Sequence, residues 1–470
     1  MMDSRSVLSH LGVILEITGI LTLVPVLVSR IFNEDVHMLF FIAAVCSFSI
    51  GLILDRRFEK REIDLSSAMV ISALSFVLIS VFGSLPYLAY LNPLDAVFES
   101  VSGFTTTGLT VVNPENLPHT LVFWRSFTQW IGGIGILVIF LLLVGSPGMS
   151  SYYLYRAEGI PEKIEASIKN SVKRIFTIYT IYTIAGIVLL AAAGMPLFDS
   201  CITAFSSVST GGFTARDGSI GAYANPMIEV VVIFLMVLGG TSFFVHDKIL
   251  RKKFRGYVSN PETKLFWFII LISLIPLSLS FAYTGSAVRD GVFHSFSALT
   301  TTGFTTLTDT PSDVSQVFLV ILMIVGGYAG STAGGLKLVR SGIIAKSLAW
   351  LGKKISLPPE AVVPLKFGDR TVRNDELNII SMFLILYFLV MFVSALVIIS
   401  LGYSPINALF QVASAEGTVG LSVTDTAAMH WSGKIVLMAD MLLGRLEIIP
   451  FLVLAYVLYR QITGRERESA

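Results

Sequence analysis

Thr105-Thr106-Thr107-Gly108-Leu109-Thr110 lies between two strongly apolar runs, and nearly the same wording returns three more times. It reads Ser209-Thr210-Gly211-Gly212-Phe213-Thr214, then Thr300-Thr301-Thr302-Gly303-Phe304-Thr305, then Gly417-Thr418-Val419-Gly420-Leu421-Ser422. The central glycines are 104, 91 and 117 residues apart, and the chain aligns around each without gaps. Thirteen residues before the glycine stand Asp95, Asp199, Asp290 and Asn407; ten before it stand Phe98, Ile202, Phe293 and Phe410. Six before it stand Ser102, Ser206, Ser297 and Ser414. Four copies in one register are an internal repeat, and the repeat organises the rest of the chain.

The register has a physical reading. Asp or Asn at its start predicts the N-cap of a short helix, its side-chain oxygen accepting from free N–H groups. The apolar positions after it give that helix one packed face. About ten residues make roughly 15 Å, half a bilayer and too short to span it. The partly negative C-terminal end would point to the membrane centre and favour a cation there. The glycine then lets the chain turn back in an extended form with its carbonyls on one side. Non-helical backbone at this depth is tolerated only against water or protein. Four such segments can form a ring of carbonyl oxygens that replaces a cation's water shell.

Composition agrees with a membrane setting. The 470 residues are 54% hydrophobic and 14% charged, outside the range of soluble domains. The charge-free runs 65–94, 126–155, 175–198, 265–288 and 314–336 reach the roughly 20 residues that cross a bilayer, and 377–415 is longer. A net charge of +1 points to no nucleic-acid partner. Cys46 and Cys201 sit in apolar contexts and read as two buried thiols. Metal ligands at motif spacing are absent, and His246-Asp247 reads as a charged helix end. With no nucleophile–base set at membrane depth, the chain does not read as an enzyme. The apolar run from Arg5 to Val28 lacks a small-residue cleavage site and reads as a retained helix, with Glu16 facing protein or the interface.

Hydropathy predicts ten spans: a first pair at 8–30 and 37–54, then 67–91 with 119–147, 172–195 with 224–250, 263–285 with 313–350, and 375–402 with 431–460. The domains are therefore an N-terminal helix pair over 8–54 and pore repeats over 67–147, 172–250, 263–350 and 375–460, each later pair holding one glycine stretch. Basic residues crowd the links between pairs, including Arg56, Arg57, Lys60 and Arg61, then Arg156, Lys163, Lys169, Lys173 and Arg174, and the tail carries Arg460, Arg465 and Arg467. The positive-inside rule then places both termini and every link in the cytoplasm and the four glycine stretches near the outer face. An even number of spans between copies makes the repeats parallel.

This combination resembles the superfamily of K⁺ transporters that contains the TrkH, KtrB and HKT proteins. The N-terminal pair and Gly444-Arg445-Leu446-Glu447 look most like the TrkH type. The resemblance implies an all-α polytopic membrane protein with four parallel helix–pore-helix–filter–helix repeats in pseudo-fourfold arrangement plus an extra N-terminal helix pair. It also implies homodimers in the cytoplasmic membrane, a K⁺ ion in the filter, and a cytosolic TrkA-like nucleotide-binding regulatory subunit. The chain itself carries no phosphate-binding glycine loop and implies no organic cofactor. The expected ion ligands are the carbonyls of Thr107, Gly108, Gly211, Gly212, Thr302, Gly303, Val419 and Gly420, with the hydroxyls of Thr106, Thr210, Thr301 and Thr418 adding to the site or bracing it. Glycine at all four filter positions resembles the K⁺-selective members, which also fits Rb⁺. Glu416 departs from the Thr-rich entry; it either packs behind the filter, accepting backbone N–H bonds, or attracts ions.

Two features suggest a gate. Gly326-Gly327-Tyr328-Ala329-Gly330-Ser331-Thr332-Ala333-Gly334-Gly335 interrupts its span with five glycines, each costing a helix about 1 kcal/mol against Ala. The resemblance makes Gly326, Gly327, Gly330, Ser331, Thr332, Gly334 and Gly335 an intramembrane gating loop beneath the filter. Gly239-Gly240-Thr241-Ser242 is a weaker break of the same kind. Arg445 lies midway along a span and needs a partner, yet Asp440 and Glu447 are not on its helix face. The resemblance points Arg445 into the pore as an electrostatic barrier. Two mechanisms stay open: channel-like uptake driven by the membrane potential, and ion-coupled symport (with H⁺ or Na⁺) through the same pore.

Overall fold

The computed structural model describes residues 4–143, 149–157, 165, 167–282, 285–307, 309–358 and 363–463. The end of the first repeat at 144–147, residues 283–284 near the end of the 263–285 span, Lys163, and Arg465 and Arg467 of the tail lie outside the described residues.

Helices α1 (Ser4–Thr22), α2 (Val24–Ile31) and α3 (His37–Arg57) form the N-terminal pair. Its seam is made of small residues: a Cβ at Gly12 would sit 2.7 Å from the Gly51 carbonyl oxygen, and one at Gly19 2.8 Å from that of Ala44. Only glycine lets two backbones approach so closely. The first repeat comprises α4 (Leu65–Ser84), α5 (Pro93–Phe104), α6 (His119–Ile134) and α7 (Ile136–Leu143), followed by α8 (Met149–Ala157). The second has α9 (Ile168–Ala192), α10 (Leu197–Val208), α11 (Pro226–Gly240) and α12 (Phe243–Leu250), then the short α13 (Arg255–Val258). The third has α14 (Pro261–Ser280), α15 (Ala287–Leu299), α16 (Asp313–Val325) and α17 (Leu338–Ile355). A hairpin of β1 (Lys366–Phe367) and β2 (Arg370–Thr371) leads to the fourth, α18 (Asn374–Ser400), α19 (Pro405–Glu416), α20 (Trp431–Arg445) and α21 (Ile449–Thr463).

The short helices of the repeat are α5, α10, α15 and α19, of 12, 12, 13 and 12 residues. Their apolar row is in the core: Phe98, Ile202, Phe293 and Phe410 are all buried. Their starts differ from the expectation. Asp95, Asp199, Asp290 and Asn407 are not N-caps, because each helix begins about one turn earlier. Asn92 and Ser404 cap α5 and α19 ahead of a proline, while Pro196 and Ser286 precede α10 and α15 without a side-chain cap. Proline suits the first helical position, having no N–H to satisfy. The acidic row sits instead in the first turn and ties down more distant segments: Asp95 bonds to Lys434 (2.7 Å), Asp199 to Tyr223 (2.8 Å) and Asp290 to Thr306 (2.9 Å).

The repeats close into a ring. Helix α6 packs on α10, α11 on α15, α16 on α19, and α20 back on α5. The second long segment of each repeat therefore supports the short helix of the next.

Among the described residues, six helical segments are long and apolar enough to cross a bilayer: Ser4–Ile31, His37–Arg57, Leu65–Ala89, Ile168–Ala192, Pro261–Ser280 and Asn374–Ser400. The pairs α11–α12 and α20–α21, each bent by 107°, bring the number to eight. The second segment of every repeat is interrupted: to the breaks read from the sequence at 326–335 and 239–242 the structure adds one at Gly135 in the first repeat and one at 446–448 in the fourth. In α20–α21 the turn is made by Glu447 and Ile448, both left-handed (φ 59° and 62°).

Glu34, in the α2–α3 turn, caps α6 by accepting from the His119 N–H (2.7 Å), the Thr120 N–H (2.9 Å) and the Thr120 hydroxyl (2.6 Å). Burial alone would raise this carboxyl, but these bonds outweigh it and hold it below the usual range. The stabilisation is therefore present above the unfolded value and is lost as pH falls through the lowered folded one. The cysteines are not buried as expected: Cys46 is exposed on α3 and Cys201 is half-buried on α10, and both thiols are free.

Candidate functional site

Each short helix ends in the same way. The left-handed residue is a threonine: Thr106 (φ 56°), Thr210 (54°), Thr301 (54°) and Thr418 (49°). The next residue's N–H reaches back to the serine of the register: Thr107 to Ser102 O (3.0 Å), Gly211 to Ser206 O (2.8 Å), Thr302 to Ser297 O (2.9 Å) and Val419 to Ser414 O (2.8 Å). This is a Schellman ending, in which the left-handed position usually belongs to glycine. A β-branched residue there costs on the order of 1–3 kcal/mol, and the strain is repeated four times in register. Such repetition points to a use for the threonine hydroxyls.

Two residues later comes the glycine, again with positive φ: Gly108 (90°), Gly212 (81°), Gly303 (82°) and Gly420 (93°). None of the four could carry a side chain. A Cβ on Gly108 would strike the carbonyl oxygen of Gly211, one on Gly212 that of Thr302, one on Gly303 that of Val419, and one on Gly420 that of Thr107. These contacts run from repeat one to two, three, four and back to one. All twelve residues expected to line the filter are thus brought into one closed ring of four strands.

Three of the four register serines brace this ring, the Ser206 hydroxyl having no partner among the described residues. The Ser102 and Ser414 hydroxyls accept from the N–H of Gly108 and Gly420, both at 3.0 Å, and Ser297 donates to Phe304 O at 2.7 Å. In the first and third strands the hydroxyls of Thr105 and Thr107, and of Thr300 and Thr302, bond to each other at 2.8 Å. Behind the first two strands lies a buried ion pair, Arg125 Nε to Glu99 at 2.6 Å, with Arg125 over the Phe213 ring and donating to Thr110 (3.0 Å). Sequence reasoning gives Arg125 no role; a cation and Glu99, both in apolar surroundings, are the signal that could have found the pair. Removing one partner of a fully buried pair leaves the other charge stranded, at a cost of about 3–5 kcal/mol. Glu99→Gln should therefore lower the melting temperature of the purified protein markedly, and an unchanged melting temperature would show that the pair adds no net stability.

Beneath the ring, the interrupted span of the third repeat forms a loop over 326–337, between α16 and α17. Its backbone uses the carbonyls left open at the end of α11, with Tyr328 N–H on Gly240 O (3.1 Å) and Thr332 N–H on Gly239 O (3.3 Å). The loop and Arg445 together hydrogen-bond three of the four left-handed threonines, and the Thr418 hydroxyl has no partner among the described residues. Arg445 donates to the Thr106 hydroxyl (3.3 Å), Thr210 donates to Thr332 (3.2 Å), and the Gly334 N–H donates to Thr301 (2.7 Å). Gly334 also lies so close to the Thr418 hydroxyl that a Cβ on it would collide. Gly326, Gly327 and Gly335 let the two ends of the loop fold on each other, since a Cβ on Gly326 would strike Gly334 O.

Arg445 donates to the carbonyls of Gly132, Gly133 and Thr332, the last at 2.9 Å. Glu447, close to it in sequence, pairs with Arg340 of α17. The position of Arg445 has a structural logic. Gly132-Gly133, Gly239-Gly240 and Gly326-Gly327 occur at the breaks of the first three repeats, and Gly444-Arg445 at that of the fourth. Cβ atoms on Gly132 and Gly444 would meet the carbonyls of Phe104 and Glu416, the last residues of their own short helices. Those on Gly133 and Gly240 would meet Ser209 and Thr300 of the next repeat. Arg445 thus fills the second slot of the pair, and reaches the next strand by bonding to Thr106. A cavity of about 120 Å³ opens on this region, lined among others by Gly133, Gly330, Ser331, Lys337, Arg445 and Glu447.

Glu416 corrects an expectation. It is fully buried behind the fourth strand, but neither carboxylate oxygen accepts a hydrogen bond among the described residues. Asp440, also buried, accepts from Ser394 at 2.7 Å through one oxygen, and its other oxygen has no partner among the described residues. The N–H groups of the fourth strand's turn are already engaged in the helix ending and cannot serve Glu416. His246 and Asp247 are absorbed structurally, through Tyr182 (3.0 Å) and Arg174 (2.8 Å) respectively.

Comparison with known proteins agrees with this architecture. Residues 35–463 match the TrkH family, described as cation transport protein. The chain is 37% identical over 464 residues to an uncharacterized cation transporter of Methanocaldococcus jannaschii, covering 97% of this chain and 96% of that one. It is 30% identical over 481 residues to the Trk system potassium uptake protein TrkH of Escherichia coli K12, covering 95% and 98%. The crystal structure of the potassium transporter TrkH from Vibrio parahaemolyticus matches with a TM-score of 0.84 at 28% identity, covering 96% of this chain and 98% of that one. With sequence, fold and ring geometry in agreement, this polytopic membrane protein belongs to the TrkH family of cation transport proteins.

Proposed function

We propose that this chain carries K⁺, and Rb⁺ with it, across the cytoplasmic membrane through the four-strand ring. The carrying observation is the cyclic closure of Gly108, Gly212, Gly303 and Gly420 onto the carbonyls of Gly211, Thr302, Val419 and Thr107. Backbone carbonyls held in a ring can replace the hydration shell of a cation. Relatives over almost the whole chain named as potassium uptake proteins support K⁺ as the cargo. The ligands are the carbonyls of Thr107, Gly108, Gly211, Gly212, Thr302, Gly303, Val419 and Gly420, flanked by the hydroxyls of Thr106, Thr210, Thr301 and Thr418. The membrane potential supplies about 2.3 kcal/mol per charge per 100 mV.

The loop over 326–337 and Arg445 close this path from below. The loop is held by a handful of bonds worth about 1 kcal/mol each, so a modest force can displace it. Both termini face the cytoplasm, with the ring near the outer surface. Exposed Lys346, Lys353 and Lys354 on α17 offer a docking surface for a cytosolic TrkA-like nucleotide-binding regulatory subunit. That partner and a homodimeric assembly rest on the family resemblance. A second reading, ion-coupled symport, draws on the buried and uncompensated Glu416 and Asp440.

Flux in proteoliposomes with K⁺, Rb⁺, Na⁺ and Li⁺, with and without a pH gradient, tests both. Preference for K⁺ and Rb⁺ driven by potential alone is the expected result. Flux without that preference would remove the filter assignment, and uphill uptake driven by protons would favour the symporter.

A further inference from the structure

The second strand of the ring is built differently from the others. It has Gly211 where the others carry Thr107, Thr302 and Val419, so it lacks a side chain directly before the central glycine. It also lacks the hydroxyl pair that braces the first and third strands. The space is filled from another repeat. Gln129 of α6 is fully buried, and a Cβ on Gly211 would collide with its carboxamide. Gln129 Nε2 donates to Gly211 O at 2.6 Å, and its Oε1 accepts from the Phe213 N–H at 3.1 Å. One side chain therefore holds the backbone on both sides of Gly212.

The other repeats show that this is a matched pair. Four residues before Gly133, Gly240, Gly327 and Arg445 stand Gln129, Met236, Met323 and Met441. The three methionines are fully buried on helices that pack on the next repeat's short helix. Their counterparts in that next repeat are Thr302, Val419 and Thr107, each with a side chain. The one glutamine occurs where the neighbouring strand has glycine.

We infer that Gln129 is a positioning residue that fixes the Gly211 carbonyl and so contributes to discrimination between K⁺ and the smaller Na⁺. The inference rests on the reading of the ring as a cation filter. A carbonyl oxygen has two lone pairs, so Gly211 O can accept from Gln129 and still face an ion. Held from behind by the amide, the strand resists closing inward on a smaller cation. Without that tie, the peptide between Gly211 and Gly212 is free to rotate.

The test uses Rb⁺ and Na⁺ flux in proteoliposomes with the full-length protein. Gln129→Met, which installs the residue of the other three repeats, should lower the Rb⁺-to-Na⁺ flux ratio about tenfold, the equivalent of one lost neutral hydrogen bond. The double variant Gln129→Met with Gly211→Thr recreates the pairing of Met441 with Thr107 and should restore the ratio to within about threefold of the unaltered protein. Gly211→Thr alone should lose selectivity, because the new side chain meets Gln129. A folded Gln129→Met protein with unchanged selectivity would overturn the inference while leaving the filter reading intact. If Gln129→Met does not fold, the double variant decides: folded and selective supports the pairing, whereas unselective or unfolded refutes it. Failure of the unaltered protein to prefer Rb⁺ would instead remove the filter reading itself.

Discussion

Gly303→Ala should abolish K⁺ and Rb⁺ flux, by a factor on the order of 100 or more, which corresponds to about 2.7 kcal/mol or more. Two penalties combine. The backbone of Gly303 is left-handed (φ 82°), which costs an L-residue roughly 1–2 kcal/mol. The added methyl also meets Val419 O, a member of the ring, so the fourth strand must move to admit it. An internal control separates the two penalties. Gly402 has φ 96° with nothing within 4 Å of an added Cβ, so Gly402→Ala carries only the conformational cost and should keep near-normal flux. Rb⁺ flux of both variants, with melting temperature as the check on folding, makes the comparison. Retained flux in Gly303→Ala would mean that the ring is not the conduction path.

Arg445→Ala should raise flux. The guanidinium bonds to Thr106 beneath the first strand and to Thr332 O in the loop, so its removal deletes both a positive charge and an anchor of the loop. A unit charge about 8 Å from an ion is worth roughly 2 kcal/mol at an effective dielectric near 20, or about thirtyfold in rate. The loss of bonds to the Gly132 and Gly133 carbonyls acts the other way, on stability. Arg445→Gln, which keeps donors but no charge, distinguishes the two contributions. If the charge is the barrier, both variants conduct faster; if the anchor matters more, only Arg445→Ala does. Unchanged flux, or abolished flux with normal folding, in both would exclude a barrier role.

Much of this is legible because the chain contains its own alignment. Four Thr/Gly stretches in one register point to the short helices and the positive φ at each glycine, and five glycines over 326–335 point to the break there. The register misplaces the helix starts by a turn, because Asp95 and Asn407 look like caps. The stronger signal is Pro93 after Asn92 and Pro405 after Ser404, where a capping side chain precedes a residue suited to the first helical position. The expected hydrogen bonds to Glu416 fail for a similar reason. A carboxylate close to a turn usually finds N–H donors, but here the Schellman ending has already used them.

The sequence by itself determined where glycine permits positive φ, where the apolar faces of the short helices form, and where the third repeat's span breaks. Those depend on residues a few positions apart, and the first two are stated four times over. Only the tertiary structure decided which groups meet. Arg125 and Glu99 are 26 residues apart, Gln129 and Gly211 are 82 apart, and Arg445 and Thr106 are 339 apart. The first comes from the packing of α5 on α6 within one repeat and the other two from the cyclic packing of each repeat on the next, and no local spacing encodes either. The ring's chemistry is therefore written in the repeat, while ties such as Gln129 to Gly211 and Arg445 to Thr106 come from side chains that cross between repeats.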